Sequence, residues 1–246
     1  MLNLNVRNPF AYPGRAPRLN RAHPLFQQGQ FHMLVAAAAQ SRGMVDLLTN
    51  AFSVGTATQS GHDDSGPWVL TVDTTGAGAV PFTINAATMN YHSWAVIFKM
   101  MVGNTRGWPL SMATNTGVLI ISTSIAFDVG NGTWWTPTAT AVPGHAYFAF
   151  GDNIVGTANL FRFGMLIDLT TGQVWTNRTA STGGFSLNPA AANTQSTTFA
   201  SNCRVYAMFV GGSPTPIPPA VQPGAGLPGV DVFNAIQADP WGLWYG

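Results

Sequence analysis

The chain has 246 residues, 8% of them charged and 46% hydrophobic, with a formal net charge of +1. It contains no Glu, all nine acids are Asp, and Lys99 is the single lysine. Helix surfaces are ordinarily covered by Glu, Lys, Gln and Arg, so a mostly helical protein is excluded, and the apolar share excludes a disordered chain. The remainder, rich in Thr, Asn and Ala with 27 Gly and 17 Pro, suits short strands joined by turns.

So little charge also bears on solubility. A free monomer relies on surface charge, whereas surfaces that end against other subunits are depleted in it. The composition therefore points to a subunit of an assembly, homo-oligomeric with further partners. The alternative is an ordinary monomer kept soluble by Asn, Thr, Ser and Gln.

In chain order, residues 1–43 read as an extended N-terminal arm. Pro9, Pro13, Pro17 and Pro24 fit neither a helix interior nor a paired central strand, and a short element is expected over 31–39. Arg7, Arg15, Arg18, Arg21 and Arg42 all precede the first acid, Asp46. The rest of the chain holds five basic and nine acidic residues, so a basic arm leads into a slightly acidic body. Five scattered arginines are too sparse for a dedicated nucleic-acid tail; a protein neighbour suits them better.

Residues 44–212 read as a β-sandwich domain. Aromatic and β-branched runs at 68–72, 82–86, 94–102, 117–123, 125–129 and 145–150 are bounded by Gly, Pro or Asn. A hairpin is expected from 161–169 and 173–178 around a turn bracketed by Asp168 and Gly172, and 203–210 closes the series. About nine strands without alternating helices predict two packed antiparallel sheets. Residues 213–246 form a tail in which Pro214, Pro216, Pro218, Pro219, Pro223 and Pro228 make a semi-rigid connector. Asp231 is placed to cap a short helix there, ahead of Trp241, Trp244 and Tyr245. The single cysteine, Cys203, excludes an internal disulfide framework. No signal peptide is read at the N-terminus, and the apolar run at 33–39 is far short of a membrane span.

Few motifs carry chemistry. Two-carboxylate glycoside hydrolysis would have to use Asp–Asp, and the one adjacent pair, Asp63-Asp64, lies in a polar Gly61–Gly66 stretch that reads as a loop. The five histidines, His23, His32, His62, His92 and His145, show no metal-ligand spacing. Asp128 with Asn131, or Asp152 with Asn153, could supply oxygens to Ca²⁺, although both spacings are common in turns; no cofactor is otherwise expected. Trp134-Trp135 falls in a loop-like Gly130–Pro137 stretch, where exposed indoles could stack on a glycan, against the alternative of core or subunit contact. Three large aromatics at the end of the chain, Trp241, Trp244 and Tyr245, must pack on the sandwich or insert into a neighbour.

Several segments together resemble a known family. Residues 8–17, Asn-Pro-Phe-Ala-Tyr-Pro-Gly-Arg-Ala-Pro, followed by His23-Pro-Leu25, resemble the opening of tailed-phage proteins with a laminin-G/concanavalin A-like domain. Trp94-Ala-Val96 is similar to that family's central Trp-x-Val strand, and residues 166–177 to its hairpin, here without the closing Gly. Residues 238–244, Ala-Asp-Pro-Trp-Gly-Leu-Trp, resemble its Asn/Asp-Pro-Trp-x-Leu-Phe ending. After His23-Pro-Leu25 the family's glycine- and tryptophan-rich strand is replaced by Gln30-Phe-His-Met-Leu-Val-Ala36. The resemblance implies an all-β, two-sheet antiparallel jelly-roll sandwich in a virion protein assembled in the bacterial cytoplasm. It further implies a non-enzymatic accessory capsid (decoration) component contacting the major capsid protein, with no membrane partner. Arg7, Arg15, Arg18, Arg21, Trp241, Trp244 and Tyr245 are then the candidate docking residues. The alternative is a tail-associated or surface adhesin binding host glycans through Trp134 and Trp135.

Overall fold

The computed structural model describes residues 18–19, 31–36, 43–46, 52–54, 59–63, 66–70, 79–82, 90–102, 106–112, 116–121, 123–129, 133–138, 140–154, 160–177, 181–182, 192–195, 203–213 and 244–245. Among them there is no helix; every strand pairing is antiparallel. The helix expected after Asp231 lies outside the described residues.

The chain opens with β1 (Arg18–Leu19), β2 (Phe31–Ala36), β3 (Gly43–Asp46), β4 (Phe52–Val54), β5 (Gln59–Asp63), β6 (Gly66–Leu70), β7 (Ala79–Phe82) and β8 (Asn90–Met100). It continues through β9 (Arg106–Met112), β10 (Thr116–Ile121), β11 (Ser124–Val129), β12 (Thr133–Trp135), β13 (Ala146–Ile154) and β14 (Leu160–Asp168). The last strands are β15 (Val174–Asn177), β16 (Ser181–Thr182), β17 (Ala192–Gln195), β18 (Cys203–Ser213) and β19 (Trp244–Tyr245).

The larger sheet runs β15-β14-β13-β8-β18-β2-β3-β4, with the β5–β6 hairpin joined to β18 and β16 to β14. The smaller runs β12-β11-β10-β9-β17-β7. The chain crosses from large to small sheet at β7, back at β8, out again for β9 to β12, back for β13 to β16, out for β17 and home for β18. Repeated crossing between two antiparallel sheets makes this a jelly-roll sandwich, as the sequence leads one to expect. The sheet begins earlier than the expected domain boundary at residue 44. β2, inside the segment read as an arm, is an interior strand between β18 and β3.

Burial explains the order of strands. In β8 the consecutive residues Ala95, Val96, Ile97 and Phe98 are all buried, so the centre of the large sheet is covered on both faces. Its neighbours match: Tyr147, Phe148, Ala149 and Phe150 on β13 and Met165, Leu166 and Ile167 on β14. In the small sheet, Leu110, Val118, Ile120, Ile125 and Phe127 share one fully buried face by register. Each such side chain removed from water contributes about 1.5–3 kcal/mol, which is why the β-branched and aromatic runs end up at the centre.

β9 contains a proline, which cannot donate to a ladder. The register shifts between Val118 and Ile120 on one flank and between Asn193 and Gln195 on the other, and Pro109 falls inside both irregularities. A proline in an interior strand is tolerated where a bulge already removes the hydrogen bond.

Candidate functional site

The expected hairpin forms as β14 and β15, with Leu166 opposite Trp175 and Ile167 opposite Val174. Gly172, at φ +76°, takes the left-handed turn position, and its N–H donates to the Asp168 carbonyl at 2.7 Å. Asp168 is 4% exposed, and its carboxylate accepts at both oxygens. Oδ1 takes the N–H groups of Thr170 and Thr171 at 2.8 and 3.1 Å, and Oδ2 takes Nδ1–H of His145 at 2.8 Å. A carboxylate only accepts, so Nδ1 of His145 is the donor in this pair. The Tyr147 hydroxyl accepts from the Val142 N–H at 2.7 Å, and burial raises its pKa above the ordinary value of 10.0. This corner ties the start of β13 to the end of β14.

A second polar cluster lies on the opposite face of the large sheet, since alternation along β8 separates Phe98 and Tyr147 from Lys99 and Arg204. At its centre is Asp63, whose Oδ2 accepts from Arg204 Nη1 at 2.7 Å and from the Tyr206 hydroxyl at 2.8 Å. Lys99 Nζ stands 3.8 Å from the same oxygen. Tyr206 reaches it because the β18 register shifts between Val205 and Ala207, which sets Tyr206 at a bulge. The guanidinium of Arg204 lies 4.4 Å from the centre of the Trp68 ring. Gly61, directly opposite Trp68 in the β5–β6 hairpin, gives the indole its room. The Trp68 Nε1–H is buried and has no acceptor among the described residues.

The cluster joins β5, β6, β8 and β18. Its central carboxylate oxygen already accepts two hydrogen bonds and has the Lys99 ammonium beside it, which fits a clamp between strands better than an acid or base awaiting substrate. Sequence reading missed it because Asp63 and Arg204 are 141 residues apart. Asp64 lies outside the described residues.

Other candidates fall as follows. Trp134 and Trp135 are on β12, an edge strand of the small sheet, and not in a loop. Trp135 is half-buried and packs on Phe127, its register partner, with ring centres 4.8 Å apart. Asp128 is within β11, where its strand pairs with β10 and β12; Asn131 lies outside the described residues. Asp152 and Asn153 are both inside β13, at a register irregularity against β14, and not in a turn. Among the described residues no three His, Cys or Asp side chains converge as metal ligands. Cys203 is a buried thiol in β18, outside any disulfide. Of the docking candidates, Arg18 in β1 pairs with Tyr245 in β19, and Trp244 pairs with Leu19, as a ribbon separate from both sheets. Arg7, Arg15, Arg21 and Trp241 lie outside the described residues.

No family model and no curated protein matches the chain. Among solved structures it is similar to a protein of unknown function, SO2946, from Shewanella oneidensis MR-1: 11% identity, TM-score 0.49, covering 76% of this chain and 89% of that one. It is also similar to Trypanosoma rangeli sialidase (9%, TM-score 0.45, 74% of this chain but 30% of that one) and to peanut lectin (10%, TM-score 0.38, 61% and 87%). At these identities and scores, no site and no activity passes from those proteins to this chain.

Proposed function

We propose that this chain is a non-catalytic structural subunit of a tailed-phage particle, an accessory capsid protein whose terminal segments dock it on neighbouring virion proteins, the major capsid protein included. The observation that carries this reading is the pairing of β1, in the arginine-bearing arm, with β19, in the aromatic tail, outside both sheets. Two residues per strand make a short ribbon with little stability of its own in water, and burial against a neighbour would add to whatever holds it within the chain. The charge-poor composition supports the same reading, because a body with 8% charged residues is suited to being packed among others. Many weak contacts repeated over a symmetric shell then give avidity without a tight single site.

The test is incorporation. A chain lacking residues 1–21 is expected to keep the sandwich fold, since the strands of both sheets lie beyond them, and to be missing from purified particles. Normal copy number of the truncated chain would reject the reading.

A second reading, glycan binding by a surface or tail-associated module, is favoured by the edge position of β12. Because Trp135 already packs on Phe127, Trp134→Ala is the discriminating variant. The reading expects polysaccharide binding that this variant loses, and a glycan array without signal removes it.

A further inference from the structure

We propose that the arm and the tail are one element: a clasp closed by β1 against β19 and rooted at a single point of the large sheet. Phe31, where β2 enters the sheet, is the register partner of Gly211 near the end of β18, two residues before the sheet is left at Ser213. The chain therefore enters and leaves the sandwich side by side. From that common root, residues 20–30 lead back to β1 and residues 214–243 lead on to β19. An eleven-residue stretch spans at most about 40 Å, so β1 is held within that radius, and the longer tail segment can reach the same place.

The common root supplies what the ribbon lacks by itself. Two segments tethered at one root close a loop made of residues 20–30 and 214–243 rather than of the whole intervening chain, because the sandwich has already joined their bases, and this lowers the cost of closure. The observed register then fixes the partners: Arg18 stands opposite Tyr245 and Leu19 opposite Trp244. Blocking the pairing on the arm side should thus release the tail as well. The clasp goes beyond the particle reading, since it is a property of the single chain; only its consequence, that arm and tail engage a neighbour together, rests on that reading.

Directly opposed residues in an antiparallel pair have Cα separations of about 4.5–5.5 Å, within disulfide range. In a Cys203→Ala background, the full-length pairs Arg18→Cys with Tyr245→Cys and Leu19→Cys with Trp244→Cys are expected to link within one chain under mild oxidation. Arg18→Cys with Trp244→Cys, whose positions occupy opposite faces of the ribbon, is expected to link at least tenfold less. In parallel, Arg18→Pro with Leu19→Pro removes both arm N–H donors and is expected to speed proteolysis within residues 214–246 about tenfold. Equal linking by the out-of-register pair, links formed between chains, or an unchanged cleavage rate in the proline variant would each overturn the clasp. All these measurements use the isolated protein. Loss of the clasp therefore leaves the incorporation result to stand by itself, and normal incorporation of the truncated chain, which would reject the particle reading, leaves the linking and proteolysis results on the full-length protein untouched.

Discussion

Replacing Gly61 by alanine tests how the Asp63 cluster is built. A methyl at this position would sit 2.8 Å from Cε2 and 2.9 Å from Cη2 of Trp68, and closer still to Cζ2, where ordinary contact begins at 3.4 Å. The obstacle is an indole 9% exposed, with the Arg204 guanidinium 4.4 Å from its ring centre. The ring cannot yield without disturbing Arg204, and Arg204 cannot move without loosening its 2.7 Å bond to Asp63. Overpacking of this kind costs about 1–3 kcal/mol. For a chain of this size that corresponds to a fall in Tm of roughly 2–12 °C, read by calorimetry or circular dichroism. Gly61→Ala combined with Trp68→Leu should lose less than the two single variants added together, because the second change removes the obstacle. A Tm for Gly61→Ala within 1 °C of the parent, or full additivity in the double variant, would refute the packing described.

Three further outcomes follow from the polar clusters. Asp63→Asn leaves Arg204 and Lys99 facing an amide and is expected to destabilise by about 1–3 kcal/mol in urea unfolding, with the m-value unchanged. Asp168→Ala removes the acceptor of the Thr170 and Thr171 N–H groups and of His145, and is expected to cost about 2–4 kcal/mol, against about 1 or less for His145→Gln. A similar loss for the two variants would show that the carboxylate does not hold the turn. Tyr147 is raised by burial, so its neutral form is the one the fold favours. Its contribution is complete below the ordinary value of 10.0 and is lost as pH climbs past it toward the folded value. Denaturant midpoints should therefore fall less steeply above pH 10 in Tyr147→Phe than in the parent, and identical slopes would contradict this.

The strands legible in the sequence are those with a continuous apolar signature. Ala95 to Phe98 and Ala146 to Phe150 are buried on both sheet faces, so nearly every residue carries the signal. β9 was hidden by Pro109, whose missing N–H is absorbed by a bulge on each flank that only pairing reveals. β5 and β17 were hidden by polar composition: Gln-Ser-Gly-His-Asp and Ala-Asn-Thr-Gln carry neither alternation nor β-branched runs. The turn around Asp168 could be read from local spacing, whereas the Asp63 cluster could not. Its partners, Lys99, Arg204 and Tyr206, come from distant strands, and Tyr206 arrives through a bulge. The low charge was legible from the first count, and it bears on the surroundings of the protein more than on its fold.

The most direct test of the assembly reading is electron microscopy of the native phage particle at a resolution that separates β-strands. The reading expects sandwich-shaped density on the shell, repeated with its symmetry, and joined to neighbours through the end where Phe31 and Gly211 pair. Particles without this density, together with recovery of the chain only as free protein in the host lysate, would contradict it.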